Sequence, residues 1–268
     1  MRIFTFNDIV LKYSNINSYD IQVNISYIFD IAQSQVKFKT YSQQDMKLID
    51  EVFAELNKGI PLQYTLNKAY FYARTFYVNN NVLIPRFDTE ILVENAIKYI
   101  KSKNLQSCLD LCCGSGAIGI TINLETGIDV TCSDISEQAL NVTKKNTQNL
   151  GASIQTVQSD LFNNLNKKYD IIVSNPPYIA TEDIQNLDDI VKNNEPLLAL
   201  DGKQDGLYFF KQIINNAHNY LNKNGIICFE VGINQAQQVA EMLKNKYKNV
   251  KIINDYNNIQ RVVIGELC

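Results

Sequence analysis

Segments typical of strands and segments typical of helices alternate from Thr89 to the end of the chain. Two strands joined by a helix pair in parallel through a right-handed crossover, so this order predicts a doubly wound α/β sheet. In such a sheet, ligands bind at the carboxyl ends of the strands. The predicted helices are 89–102, 116–125, 136–149, 206–222 and 234–246, and the seven predicted strands are 106–111, 128–133, 153–158, 170–174, 225–231, 250–254 and 260–265.

The first part of the chain has a helical pattern instead. Apolar residues between Met46 and Leu56 recur at helical spacing, with Ser42 as a candidate N-cap and Gly59 as a stop. Weaker helical patterns cover Ile9 to Tyr13 and Val23 to Ile31. We therefore predict a small N-terminal helical domain over residues 1–66.

A stretch rich in aromatic and β-branched residues follows, from Lys68 to Ile84. This composition is typical of a strand or a hairpin, and Asn79 to Asn81 form a polar break within it. We predict that residues 67–88 form a β-hairpin linker to a second domain at 89–268.

Composition limits the class of protein. The chain has 268 residues, a net charge of −3, six cysteines and a single histidine, His218. No apolar run is long enough to cross a bilayer, and the first residues lack the features of a secretory signal, so we expect a cytoplasmic protein without membrane contact. The cysteines lack paired spacing and are expected to be free thiols, with no metal site. The net charge gives no support for nucleic-acid binding.

The sequence after the first predicted strand of the sheet, "CLDLCCGSGAIG", places Gly114, Gly116 and Gly119 at the G-x-G-x-x-G spacing of a nucleotide-binding turn. The same spacing also occurs where a strand simply packs closely on a helix. Asp134 ends the next strand, 20 residues after Gly114, where a carboxylate can bind both hydroxyls of a ribose. Asp134 can instead cap the following helix.

These two signals fit either a nicotinamide dinucleotide or S-adenosyl-L-methionine. Asp110, near the end of the first strand, would repel a pyrophosphate but suits the cationic amino-acid portion of S-adenosyl-L-methionine, and it favours that cofactor. At the third strand end, Asp160 can accept a hydrogen bond from the adenine amine, with Leu161 and Phe162 as apolar walls. Asp160 can also be a loop residue held by local backbone bonds.

The fourth strand ends at "NPPY", Asn175 to Tyr178. A planar amide or aromatic amine is a poor nucleophile, because its nitrogen lone pair is delocalised. The side-chain carbonyl of Asn175 and the backbone carbonyl of Pro176 can hold its two hydrogens, while the prolines stiffen the turn and Tyr178 offers a flat face. We thus predict catalytic roles for Asn175, Pro176 and Tyr178. A rigid proline turn without chemistry is the alternative.

The "NPPY" tetrapeptide together with "DLCCGSGAIGI" resembles the Rossmann-like S-adenosyl-L-methionine-dependent amino-methyltransferases. Three flanking stretches narrow the resemblance to the release factor glutamine methyltransferase family: residues 59–94, "NEPLLALDGKQDGLYFFKQII" and "FEVGINQ". The resemblance covers residue 59 to the C-terminus. In place of usual family residues, this chain has Phe87, Asn67 and Ala73, as well as Cys112 and Cys113.

The resemblance implies methylation of the glutamine side-chain amide in the Gly-Gly-Gln motif of class 1 peptide chain release factors. It assigns the methionine end of the cofactor to the first strand end, the ribose to Asp134, and the adenine to Asp160 and Leu161. Asn175 would touch both cofactor and substrate. The residues implied at the methionine end are Cys112, Cys113, Gly114, Ser115 and Gly116, and those implied for the glutamine are Asn175, Pro176, Pro177 and Tyr178.

Two other functions stay open. A nucleic-acid amino-methyltransferase would need a basic groove and usually a target-recognition domain, for which the chain has no segment of adequate size. A binding module with a degenerate cofactor site is the second alternative. We expect a monomer whose partner is the release factor and not nucleic acid. We interpret Arg86 as a structural ion-pair partner, because an unpaired buried arginine is costly.

Overall fold

A computed structural model describes residues 3–268. The chain divides into two compact units, one up to Asn67 and the other from Lys68 to Cys268. No helix in the described part of the chain is long and apolar enough to span a bilayer.

The first unit is helical. Its helices are α1 (Phe6–Lys12), α2 (Ser18–Phe29), α3 (Gln33–Val36), α4 (Gln43–Asn57) and α5 (Leu62–Thr65). Ser42 is the N-cap of helix α4, as predicted: its hydroxyl accepts the Asp45 N–H at 3.1 Å, and the Asp45 carboxylate accepts the Ser42 N–H at 2.8 Å. Gly59 follows the helix at a φ of +82°, a conformation that favours glycine. Apolar residues of α1, α2 and α4 form one core.

A short hairpin opens the second unit, with strands β1 (Ala69–Phe71) and β2 (Arg74–Phe76). Its turn lies at Tyr72 and Ala73, with φ values of +49° and +55°. The polar break at Asn79 to Asn81 lies beyond the second strand, which ends at Phe76. This turn contains neither glycine nor asparagine, the residues that normally adopt positive φ, and Ala73 is one of the positions at which this chain departs from the usual family residues.

The remaining elements form a doubly wound α/β unit, as predicted. Its helices are α6 (Glu90–Lys103), α7 (Ala117–Thr126), α8 (Glu137–Leu150), α9 (Asp189–Asn194), α10 (Leu197–Leu200), α11 (Tyr208–Ala217) and α12 (Ala236–Leu243). Its strands are β3 (Ser107–Leu111), β4 (Asp129–Asp134), β5 (Ile154–Gln158), β6 (Tyr169–Ser174), β7 (Leu221–Glu230), β8 (Tyr247–Asn254) and β9 (Gln260–Leu267).

The seven strands have the order β5-β4-β3-β6-β7-β9-β8, and β9 runs antiparallel to both of its neighbours, β7 and β8. Alternate residues of each strand enter different cores: in β6, Ile171 and Val173 pack on one face while Ile172 packs on the other. Helices α6 and α7 cover the first face, and helices α11 and α12 cover the second. Both faces are buried, which explains the nearly continuous apolar runs in the central strands.

Two details differ from prediction. The helix expected over 206–222 ends at Ala217, because strand β7 begins four residues later at Leu221. Short helices α9 and α10 were not predicted, since four to six residues are too few to show a helical period.

Candidate active site

The order of the strands reverses between β3 and β6, because β4 and β5 follow on one side of β3 while β6 and β7 follow on the other. This is the position at which open α/β sheets bind ligands. A cavity of about 430 Å³ lies there. Of the predicted site residues, it is lined by Cys112, Cys113, Gly114, Ser115, Asp134, Asp160, Leu161, Asn175 and Pro177, but not by Asp110, Gly116, Pro176 or Tyr178.

Asp134 organises the glycine-containing turn after β3. Its carboxylate accepts the backbone N–H of Gly114 and that of Ser136, each at 2.9 Å. Burial raises the pKa of Asp134, and these two hydrogen bonds act in the opposite direction. Each carboxylate oxygen can accept a further bond. Asp134 does not cap helix α8, since that position belongs to Ser136, whose hydroxyl accepts the Ala139 N–H at 3.1 Å.

Two buried polar side chains of α8 hold the same turn from below. The Thr143 hydroxyl donates to the Gly114 carbonyl at 2.8 Å, and the Asn146 amide donates to the Ser115 carbonyl at 2.9 Å. Gly116 packs against Thr143 so closely that a Cβ atom there would lie 2.7 Å from the Thr143 methyl group. Our prediction missed both residues. The sequence contained a signal for them, because both lie among the apolar positions of an otherwise polar helix.

Asp110 lies under the turn and is fully buried. Its Oδ2 accepts the Gly119 N–H at 2.8 Å, and its Oδ1 has no hydrogen-bond partner in the part of the chain that the structure describes. Burial raises the pKa of Asp110 to about 7, with a smaller contribution from the charge of Asp134. Asp110 therefore lies close to the cavity but does not line it. Its contact with the cofactor stays a prediction.

The third strand end forms one side of the cavity. Asp160 and Leu161 line it, and Leu161 adopts a φ of +46°. Phe162 is not a wall of the cavity, contrary to the prediction, because its ring stacks on Tyr220 with centroids 4.5 Å apart. Ile135 lines the cavity beside Asp134 and was not predicted.

The Asn175–Tyr178 turn is held from behind by three contacts. The Asn175 amide donates to the Thr89 hydroxyl at 3.5 Å, and the Tyr178 hydroxyl donates to the Glu230 carboxylate at 3.3 Å. The Tyr178 carbonyl accepts the Gln235 amide N–H at 2.8 Å. Burial raises the pKa of Tyr178, with the charge of Glu230 as the second cause. The Tyr178 ring is therefore directed at buried Glu230 and not at the cavity.

Arg86 forms an ion pair with Glu195, which is 5% exposed. The interpretation of Arg86 as an ion-pair partner is confirmed, although Arg86 also lines the cavity. The cavity is also lined by residues that our site prediction did not include. They include Val82, Leu83, Pro196, Leu198, Lys203, Tyr208 and Phe209.

Comparisons with known proteins identify the family. The methyltransferase small domain model matches residues 87–203. A release factor glutamine methyltransferase from Clostridium acetobutylicum is 36% identical over 270 residues, covering 96% of this chain and 94% of the relative. One from Clostridium botulinum is 37% identical over 270 residues, covering 95% and 94%. This chain belongs to the release factor glutamine methyltransferase family.

The fold agrees with this membership. A 16S rRNA N2 G1207 methyltransferase from T. thermophilus, solved in complex with AdoMet and guanosine, superposes with a TM-score of 0.55 at 17% identity, covering 75% of this chain and 50% of that one. At this identity the match shows a shared methyltransferase fold. The family resemblance drawn from the sequence is thus confirmed.

Proposed function

We propose that this protein transfers a methyl group from S-adenosyl-L-methionine to the side-chain amide of the glutamine in the Gly-Gly-Gln motif of class 1 peptide chain release factors. The name of the relatives, release factor glutamine methyltransferase, supports a release factor glutamine as the substrate. The observation that carries the reaction is that Asp134 and Asn175, at the ends of two strands, line one cavity. The side with Asp134 can hold a nucleoside, and the side with Asn175 can receive an amide.

The residues of the cavity fit the cofactor. Asp134 is fixed by two backbone N–H groups and keeps acceptor capacity for a ribose, and Ile135 and Leu161 provide apolar surface for a base. A Cβ at Gly116 would collide with Thr143, so the turn has the close packing that a glycine permits. When bound, S-adenosyl-L-methionine supplies an electrophilic methyl group on a sulfonium. The implied contacts of Cys112 to Gly116 belong to this proposal.

Asn175 and Pro176 orient the substrate in this proposal. The Asn175 side-chain oxygen accepts one hydrogen of the glutamine amide and the Pro176 carbonyl accepts the other, which turns the nitrogen lone pair away from the carbonyl system. Pro177 and Tyr178 hold the turn. Alignment of this kind can supply roughly 7–11 kcal/mol. The methylated nitrogen is acidic and loses its proton to water without a strong base. His218 has no role in this proposed reaction. Its Nδ1 lies 3.2 Å from the Lys246 Nζ.

The rest of the chain has a supporting role in this proposal. Residues 1–66 dock the release factor, and 67–88 link this domain to the methyltransferase domain at 89–268. The protein acts as a monomer in the cytoplasm, with the release factor and not nucleic acid as its partner.

The proposal is tested by transfer of label from S-adenosyl-L-methionine to four substrates: release factor, its loop Gln→Ala variant, DNA and ribosomal RNA. We expect label only in the unaltered release factor. Equal labelling of the Gln→Ala variant would contradict the substrate, and labelling of nucleic acid alone would favour the alternative enzyme class.

Two variants separate the roles within the cavity. Asn175→Ala should lower kcat by about 10²–10³, as removal of one positioned polar group does in other enzymes, while cofactor affinity measured by calorimetry changes little. Asp134→Ala should instead weaken cofactor affinity. Unchanged kcat for Asn175→Ala would refute the role given to this residue.

A further inference from the structure

We propose that Asn146 of helix α8 is a positioning residue for the cofactor, because it fixes the spacing between two walls of the cavity. These walls are the glycine turn (residues 112–116) and the wall segment (residues 77–86). The inference rests on the proposed function, in which S-adenosyl-L-methionine occupies the cavity. Asn146 is fully buried and does not itself line the cavity, so it acts through the two segments that it holds.

The wall segment begins where the hairpin ends. Strand β2 pairs with β1 up to Phe76, and Tyr77 follows. The Tyr77 N–H donates to the Asn146 side-chain oxygen at 2.6 Å, and the Tyr77 carbonyl accepts an N–H of the Asn146 amide at 3.0 Å. Two residues of antiparallel strands exchange the same pair of bonds. The Asn146 side chain therefore continues the backbone pairing of the hairpin by one residue.

The second N–H of the Asn146 amide reaches the glycine turn, where it donates to the Ser115 carbonyl at 2.9 Å. One amide thus holds backbone groups of two segments that are far apart in the chain. Thr143, one turn earlier on α8, has a single hydroxyl proton and donates it to the Gly114 carbonyl. Thr143 therefore supports the glycine turn, whereas Asn146 links this turn to the wall segment.

The three hydrogen bonds match the asparagine amide, which has one accepting oxygen and two N–H donors. The Tyr77 N–H can only donate, and the Tyr77 and Ser115 carbonyls can only accept. The backbone therefore decides which end of the Asn146 amide faces each partner. An ionised aspartate has nearly the same shape but no N–H group, so it would place an oxygen against the two carbonyl oxygens.

Both segments face the cavity. Residues 80–83, 85 and 86 of the wall segment line it, as do residues 112–115 of the glycine turn. Val82 and Ile84 of the wall segment are buried, but apolar contacts have no preferred direction. The hydrogen bonds at Tyr77 are directional and set the position of this segment against α8. If they were lost, a ligand that touches both walls would fit less closely.

Three substitutions test this role. Asn146→Asp keeps the shape of the side chain and removes both N–H donors. Asn146→Ala removes all three hydrogen bonds without introducing a charge. Thr143→Val removes the hydroxyl bond to Gly114 but leaves the link between Asn146 and Tyr77, so it separates support of the glycine turn from the link between the two walls.

The matched control is Asn123→Asp in helix α7. The Asn123 amide N–H donates to the Ile128 carbonyl at 3.0 Å, and its side-chain oxygen accepts the Ser153 N–H at 2.9 Å. Asn123 thus also joins two backbone segments, but it does not line the cavity. Denaturant unfolding of each variant shows how much stability the substitution removes, and an effect of lost stability alone should appear in the control as well.

The experiment measures kcat and KM for the full chain with release factor, together with the Kd of S-adenosylhomocysteine by calorimetry. For Asn146→Asp and Asn146→Ala we expect the KM for S-adenosyl-L-methionine and this Kd to rise roughly tenfold, the factor that corresponds to one or two hydrogen bonds. At saturating cofactor, kcat should stay within about twofold of wild type. A purely structural loss would reduce the amount of active enzyme, and hence kcat, without changing KM. Asn123→Asp should leave KM and Kd unchanged.

A second readout does not depend on a ligand. In the protein without cofactor, backbone amides of the wall segment and of the glycine turn should exchange with solvent faster in both Asn146 variants than in wild type. In Thr143→Val, only the glycine turn should exchange faster. Amides of β8 and β9 serve as the reference for global unfolding.

The inference is overturned by an unchanged KM for S-adenosyl-L-methionine in both Asn146 variants, by an equal rise of this KM in Asn123→Asp, or by wild-type exchange of the wall segment in the Asn146 variants. Failure of the wild-type protein to bind S-adenosylhomocysteine would instead contradict the proposed function, and the exchange rates would still test the link between the two walls.

Discussion

Replacement of Asp110 by asparagine should change how stability depends on pH, because Asp110 is a buried carboxyl with a raised pKa. The protonated carboxyl and the asparagine amide have nearly the same shape. Each can accept the Gly119 N–H through one oxygen. Each also carries a hydrogen-bond donor at the position of Oδ1, which has no hydrogen-bond partner among the described residues. At low pH, wild type and Asp110→Asn should therefore have similar stability.

The difference grows as pH rises. Burial raises the pKa of Asp110 from 3.8 to about 7 in the folded protein, so between these values the folded state binds a proton that the unfolded state has lost. Stability then falls with rising pH, since the slope follows the protons bound in the unfolded state minus those bound in the folded state. Between pH 5 and pH 8 this group lowers wild-type stability by roughly 2–3 kcal/mol. Asparagine does not titrate, so the variant lacks this loss.

Hydrogen exchange provides the assay. Amides of β3 and β6 report on unfolding of the sheet that contains Asp110, and comparison of the two proteins at the same pH cancels the intrinsic exchange rates. We expect equal protection near pH 5 and greater protection of Asp110→Asn near pH 8. A stability difference that stays constant from pH 5 to pH 8, or that favours wild type at the higher pH, would refute the assignment of a raised pKa to Asp110.

Two glycine substitutions test close packing at the site. In Gly119→Ala the new Cβ would lie 2.5 Å from the Cys132 sulfur, and we expect a loss of about 1–3 kcal/mol in denaturant unfolding; unchanged stability would contradict this packing. In Gly206→Ala the Cβ would lie 2.3 Å from the Tyr178 carbonyl oxygen, so the Asn175–Tyr178 turn should shift and, if this turn holds the substrate as proposed, kcat should fall by about 10²-fold. Gly151→Ala is the control, because Gly151 has the same φ of +69° with open space around it, and equal kcat losses in both variants would show that backbone strain and not the contact is responsible.

The sequence placed Asp134 and Asn175 at the ends of neighbouring parallel strands, and the structure brings both to one cavity. Asp134 and Asn175 line the cavity because the carboxyl ends of parallel strands meet at one edge of the sheet, and the alternating pattern already implied such a sheet. Tyr178 lies in the turn at the strand end, as expected, but its ring is directed towards Glu230. The direction of a side chain depends on the partners that the fold supplies, and Glu230 lies 52 residues further along the chain.

The sequence by itself determined the class of fold, the order of elements and the family. These follow from local periodicity and from motifs in which neighbouring residues act together. Only the tertiary structure decided that Asp110 is buried under the turn, that Thr89 contacts the Asn175 amide and that Glu230 accepts the Tyr178 hydroxyl. Burial and hydrogen-bond direction are set by contacts between distant segments, and no spacing along one segment can specify them.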